Sequence, residues 1–321
     1  MPANAIAAPP VASPAYDPSV RAIVTGGAGF IGSHLVERLV EQGSPVLVVD
    51  DLSTGSRVSV AESADLVVRD IATDPLDKLF HDFRPDVVYH LAAQASVPAS
   101  ERDPQRDLAV NVLGTHRVSK AAVGSRARRL VFVSSGGAIY GETTRAVTER
   151  ARPQPLSYYG VHKLAAESHV ALSGAPFAVA RPSNVYGPRQ RAGLEGAVVA
   201  SFVNQAMKLG SLHIHGDGHQ TRDFVHVADV VDALLLLGQI GGPIGVWNVA
   251  FGRRTTIDSL AALVERAVGR SLPRSFGTRR PGDVTDSGMT AARLRRLGWR
   301  PAVTLARGVR GLIVGPPLGR G

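Results

Sequence analysis

Short apolar runs alternate along the chain with longer stretches in which apolar residues recur every three or four positions. The runs at 22–25, 46–49, 66–68, 87–91, 130–134 and 177–180 read as strands, and the stretches at 31–42, 104–123 and 158–172 read as amphipathic helices. Strands alternating with helices predict βαβ units, hence an α/β fold with a doubly wound, Rossmann-like parallel sheet. After about residue 187 the rhythm breaks: Gly, Pro and Arg become frequent, and short segments appear at 212–215 and 247–250. This predicts a smaller C-terminal lobe over the carboxyl edge of the sheet, where ligands of such folds bind. The expected organisation is a flexible Ala- and Pro-rich tail at 1–19, a dinucleotide-binding domain at 20–187 to which 224–250 returns, and a substrate lobe at 188–223 and 251–321.

Composition narrows the class. The 321 residues are 44% hydrophobic and 20% charged, as in a soluble globular protein, and no run is apolar for long enough to span a bilayer. The chain has no cysteine, which excludes disulfides, thiolate nucleophiles and Cys-ligated zinc and fits a reducing cytoplasm. The net charge of +9 is carried by scattered arginines, with local clusters at 126–129 and 293–296 expected on solvated helix faces. Such a balance attracts anionic small molecules, and neither a nucleic-acid partner nor a metal is expected.

The run 22–24 leads directly into Gly26-Gly27-Ala28-Gly29-Phe30-Ile31-Gly32. Gly26 permits a tight turn, Gly29 lets a pyrophosphate approach the backbone, and Gly32 lets the following helix pack on the strand. The helix beginning near Phe30 and Ile31 offers free N–H groups and a positive dipole end to phosphate. Asp50, at the end of the second strand, stands where an acid binds the adenosine ribose hydroxyls. A carboxylate there repels a 2′-phosphate and no arginine follows at once, so the expected cofactor is NAD rather than NADP. Asp70 and Ile71 after the third strand flank the adenine, or Asp70 caps a helix; both readings stand. Leu91, Ala92 and Ala93 after the fourth strand leave room for a cofactor close to the backbone.

Tyr159 and Lys163 are four residues apart and share one face of a helix. A free tyrosine, with a pKa of about 10, is a poor base at neutral pH. A nearby ammonium and a positive nicotinamide favour the phenolate, which then accepts a proton from a sugar hydroxyl as hydride leaves the same carbon. Lys163 also holds the nicotinamide ribose in this reading.

The chain resembles the extended short-chain dehydrogenase/reductase family, specifically its UDP-galactose 4-epimerase group. The resemblance rests on the glycine loop, on Asp50-Asp51-Leu52-Ser53-Thr54-Gly55, His90-Leu91-Ala92-Ala93-Gln94, Asn111-Val112-Leu113-Gly114-Thr115, Ser134-Ser135-Gly136-Gly137-Ala138-Ile139-Tyr140-Gly141, Asn184-Val185-Tyr186-Gly187-Pro188-Arg189-Gln190, Gly216-Asp217-Gly218-His219-Gln220-Thr221-Arg222-Asp223, and Arg280-Pro281-Gly282-Asp283, in order over residues 21–301. It implies that Asp51, Ser53, Thr54, Gly55 and Asn111 join the NAD site. It implies a UDP-sugar substrate, with Asn184 over the diphosphate, Arg222 and Arg280 on phosphate, Asp283 on the nucleotide ribose, and Val198, Val199, Phe202 and His215 around the nucleotide. Ser287 falls where residue size admits or excludes a 2-acetamido group, and a serine implies room for one. Relatives dimerise through two sheet-flanking helices, here 104–123 and 158–172, so a homodimer is expected.

One departure stands out. The third catalytic residue of the family, a Ser or Thr, falls at Gly136; Ser135 or a water is the expected substitute. The same loop carries no carboxylate, whereas related dehydratases and decarboxylases need one to remove water or assist decarboxylation. This favours a 4-epimerase working through a bound 4-keto sugar. The alternatives are a UDP-glucuronate epimerase, a 4-ketoreductase of a deoxysugar pathway, or a non-catalytic NAD-binding sensor.

Overall fold

The computed structural model describes residues 19–192, 197–279 and 284–314. The expectation of a flexible tail at 1–19 therefore falls, but for Ser19, outside the described residues.

Seven strands form one parallel sheet: β1 (Ala22–Thr25), β2 (Val46–Asp50), β3 (Asp65–Val68), β4 (Val87–His90), β5 (Arg129–Val133), β6 (Phe177–Pro182) and, after three strands of other sheets, β10 (Gly245–Val249). The spatial order is β10-β6-β5-β4-β1-β2-β3. The inner strands are buried on both faces, which is why they read as unbroken apolar runs. Successive side chains point to opposite faces: Ala22 and Val24 enter one core, Ile23 the other. The first core packs the helices Phe30–Glu41 and Val227–Leu237 on the sheet, and the second packs Asp77–Phe83, Thr115–Gly124 and Tyr158–Leu172.

The chain runs outward from β1 to β3, then crosses back to place β4 on the other side of β1. The carboxyl ends of β1 and β4 thus diverge into loops that leave a crevice between them, the usual ligand position in open α/β sheets. The glycine loop follows β1, and Leu91-Ala92-Ala93 follows β4.

The remaining strands form two smaller sheets. β7 (Asn184–Tyr186), β9 (Thr221–His226) and β11 (Arg254–Thr256) make a three-stranded sheet, and β8 (Leu212–His215) pairs with β12 (Arg274–Gly277). With the helices Val198–Lys208 and Ile257–Val268 they enclose a third core around Tyr186, Phe202, Leu212, Phe224 and Leu260. The segment read at 247–250 belongs to β10 and pairs with β6 in the main sheet. The stretch read as one helix at 104–123 is helical without a break from Pro104 to Gly124, with a π-helical segment, Ala109–Gly114, between the α-helical parts Pro104–Leu108 and Thr115–Gly124. Among the described residues no helix is long and apolar enough to cross a membrane.

Candidate functional site

The crevice between β1 and β4 opens into a cavity of about 410 Å³. Of the residues expected at the cofactor, Gly26, Gly29, Phe30, Ile31, Gly32, Asp50, Asp51, Ser53, Thr54, Asp70, Ile71, Leu91, Ala92 and Ala93 all line it. The glycines are needed at this spacing. A Cβ on Gly26 would lie 2.5 Å from Ala92 N, and one on Gly32 would lie 2.1 Å from Gly26 O. The helix Phe30–Glu41 carries no acidic residue in its first turn, so its positive end is not neutralised. Asp50 is buried; its carboxylate accepts Ala28 N–H at 2.9 Å and Leu52 N–H at 2.8 Å. Each oxygen keeps a lone pair for a ribose hydroxyl. Burial raises the Asp50 pKa, against the pull of these amides. Gly55 packs against Asp50, where a Cβ would stand 2.8 Å from Oδ1. Asp70 lines the cavity, and its Oδ1 accepts Ala72 N–H at 2.8 Å in a turn; the next helix begins only at Asp77, so Asp70 does not cap it. These groups fit a dinucleotide with unphosphorylated ribose. Asp50→Ala is expected to weaken NAD retention about tenfold to a hundredfold, since it removes hydrogen bonds to a charged acceptor. NAD released per denatured chain checks it.

The helix Tyr158–Leu172 begins after Ser157, whose hydroxyl accepts Gly160 N–H at 3.2 Å. Gly160 brings this helix against the turn after β5: a Cβ there would lie 2.7 Å from Ala138 O. Tyr159, half-buried, donates its N–H to Ser100 Oγ at 3.1 Å. Lys163 is buried; its Nζ donates to Val133 O at 2.7 Å and lies 4.3 Å from the centre of the Phe132 ring. Val133 also lines the cavity. An ammonium has three N–H donors, so donors remain for ribose hydroxyls. Burial pushes the Lys163 pKa down to about 7, opposed by Glu167 and Asp107. Asn111, in the π segment, is buried and donates to Gln94 O at 2.9 Å and Asp107 Oδ1 at 3.0 Å.

The residues expected at the substrate are spread over several elements. Asn184 starts β7 beside the Ser135 turn: a Cβ on Gly137 would stand 3.8 Å from its Nδ2. Arg222, on β9, donates to Thr221 O at 2.8 Å and Thr285 O at 3.2 Å. Ser287 is buried, with its N–H on Thr221 O at 3.2 Å. His215 ends β8, half-buried, with its ring centre 4.8 Å from that of His213. Val199 and Phe202 are buried in the third core, with Val198 packed against it. Arg280 and Asp283 lie outside the described residues.

A model of the NAD-dependent epimerase/dehydratase family matches residues 22–250. The chain belongs to this family. It is 40% identical over 304 residues to a UDP-glucose 4-epimerase of Mycolicibacterium smegmatis, covering 90% of this chain and 96% of that protein. Among solved structures it is similar to the UDP-glucose 4-epimerase of Thermus thermophilus in complex with NAD (TM-score 0.88, 36% identity, 92% of this chain and 98% of that one). It is also similar to that of Thermotoga maritima with UDP-glucose (TM-score 0.87, 37% identity, 92% and 98%).

Within this epimerase/dehydratase chain, Gly136 is closely packed. A Cβ on Gly136 would lie 2.2 Å from Met289 Sδ and 3.2 Å from Arg181 O, and Met289 is only 1% exposed. A buried thioether stands where a side chain at 136 would begin. Ser135 precedes the short helix Gly136–Ile139 without capping it by its side chain, and is half-buried. The Ser134 hydroxyl is buried without a hydrogen-bond partner among the described residues. Gly136→Ser is expected to lower stability by about 1–3 kcal/mol through overpacking. In a Met289→Ala background the added cost of Gly136→Ser should shrink, as read by urea melts of the two single variants and the double.

Sequence reasoning missed a further wall of the cavity, formed by Gln94, Ala95, Ser96, Arg106, Arg189 and Gln190. Arg189 holds its loop to the helix Phe30–Glu41 through Glu37, at 3.0 Å. Its φ of 66° is unusual for a residue with a side chain. Nothing local in Gly187–Gln190 signals that this loop folds back toward the glycine turn.

Proposed function

We propose that this protein is an NAD-dependent nucleotide-sugar 4-epimerase that interconverts UDP-glucose and UDP-galactose. The observation that carries the reading is the helix with Tyr159 and buried Lys163, packed through Gly160 on the Ser135 turn beside a cavity with a glycine cradle and a ribose-binding acid. That arrangement offers one acid/base group next to a redox cofactor. Held by the glycine turn, Asp50 and Lys163, NAD would supply reversible hydride transfer at C4 of the sugar. Tyr159 accepts the C4 hydroxyl proton and gives it back. The Lys163 ammonium favours the phenolate and binds ribose hydroxyls. Ser135 orients the C4 hydroxyl. The turn from Ser135 to Ala138 has no carboxylate, which fits an exchange of configuration without loss of atoms.

Residues 188–223 and 251–321 form the substrate lobe in this reading, with Asn184, Arg222 and Arg280 on the diphosphate. Two arginines suit a pyrophosphate. Asp283 takes the nucleotide ribose, and Val198, Val199, Phe202 and His215 shape the base pocket. Buried, small Ser287 leaves room for a 2-acetamido group; absence of turnover on UDP-N-acetylglucosamine, where UDP-glucose reacts, would overturn this. A homodimer is supported by apolar side chains left exposed on the two sheet-flanking helical stretches: Leu108, Leu113, Val123, Val161 and Leu172. Sedimentation equilibrium checks it.

The direct test is to denature the purified protein and assay released NAD(H), then to incubate native protein with UDP-galactose and no added cofactor. Formation of UDP-glucose with recovered NAD is expected. Bound NAD without turnover would instead leave a sensor or a more specialised sugar enzyme.

A further inference from the structure

Asp107 is fully buried and does not line the cavity, yet its carboxylate joins three elements around the site. Oδ1 accepts Gln94 Nε2 at 2.6 Å and Asn111 Nδ2 at 3.0 Å, and Oδ2 accepts His162 Nδ1 at 2.6 Å. Gln94 belongs to the cavity wall, Asn111 to the π segment, and His162 to the turn of helix between Tyr159 and Lys163. Gln94 is further fixed by accepting Ser96 N–H at 2.7 Å and donating to Ser96 O at 2.8 Å. A buried carboxylate that accepts three donors costs much less than an isolated one, but it keeps its charge.

The groups around Lys163 decide what that charge does. On its own helix stand Tyr159, His162 and Glu167; from β4 comes His90, from β5 the Phe132 ring and Val133 O, and from the 104–108 helix Asp107. His90 is buried and held neutral, its pKa pushed down to about 3 by burial and then by Lys163. Glu167 is already paired: Arg181 donates to both of its oxygens, at 2.8 and 2.5 Å. Among the described residues Asp107 has only His162 as a salt-bridge partner, and an imidazole carries charge only when protonated.

We propose that Asp107 is a positioning residue, which locks the cavity wall, the π segment and the Tyr159–Lys163 helix together, its carboxylate adding to the negative charge that Glu167 presents to the Lys163 ammonium. Its catalytic consequence rests on the epimerase reading; its electrostatic core does not.

Asp107→Asn isolates the charge. The amide oxygen still accepts from Gln94 and Asn111, and the amide NH₂ donates to a neutral His162 ring. The chain has only four lysines, and Lys78, Lys120 and Lys208 are exposed, so lysine ε-carbon NMR with Lys163→Arg as the assignment control follows the buried amine. In Asp107→Asn its titration midpoint should fall by about one pH unit, the effect of removing a nearby opposite charge. The alkaline limb of kcat on UDP-galactose should fall with it. An unmoved lysine midpoint overturns the proposal, and a moved midpoint with an unmoved limb overturns its catalytic half. If Asp107→Asn does not fold, Asp107→Ser, which also removes the charge and leaves a hydroxyl that accepts from Asn111, carries the same lysine titration, and an unmoved midpoint there overturns the proposal. Neither titration requires turnover, so failure of the epimerase reading remains a separate result.

Discussion

Tyr159→Phe is expected to lower kcat on UDP-galactose by about 10²–10⁴-fold, the usual worth of a positioned general acid/base. Bound NAD and thermal stability should stay close to those of the parent. The ring keeps its half-buried place, and the Tyr159 N–H that donates to Ser100 Oγ is untouched. The split between turnover and cofactor content is the informative part. A role in packing alone would lower stability and leave kcat per folded chain intact. Single-turnover rates with quantified NAD separate the two. The same measurement on Ser135→Ala tests the secondary hydroxyl; near-parental turnover would remove it from the mechanism.

Gly32→Ala is expected to destabilise the fold by about 1–3 kcal/mol and to strip most of the NAD. The added Cβ would meet Gly26 O at 2.1 Å and Gly27 Cα at 2.8 Å, both backbone atoms. No rotamer relieves such a contact, so the helix Phe30–Glu41 must lift from the turn that it closes. The cavity loses its cradle at the same time, because Gly26, Gly29 and Gly32 all line it. Gly124→Ala is the control: a Cβ there meets nothing within 4 Å, and alanine is the better helix former. Thermal melts with NAD released per chain measure both variants. Parental stability in Gly32→Ala would mean that the strand–helix approach is looser than its geometry implies.

The cofactor side of the site was legible because its signals are local. A glycine turn must join strand to helix within a few residues, and an acid at the end of the next strand follows from the same βαβ unit. Residues 46–49 read as a strand, and the structure extends it to Asp50, which places that acid at the sheet's carboxyl edge. The helix at 158–172 was bounded correctly because Ser157 caps it and its apolar face is periodic. The stretch at 104–123 is also helical from end to end, but the π segment inside it was not legible, because it does not alter the apolar pattern strongly. What marks it is the side chain of Asn111 reaching Gln94 and Asp107, contacts that span different elements.

By itself, the sequence determined the parallel α/β sheet, the dinucleotide crevice and the Tyr159–Lys163 spacing, since each depends on neighbours within one strand–helix unit. Only the tertiary structure decided that β10 closes the main sheet beside β6, that Met289 fills the space beside Gly136, and that Asp107 ties Gln94 to His162. In each case the deciding contact joins residues far apart in the chain. Close packing and the pairing of buried polar groups select such partners by shape and by the cost of leaving them unmatched, and neither leaves a periodic trace along the chain.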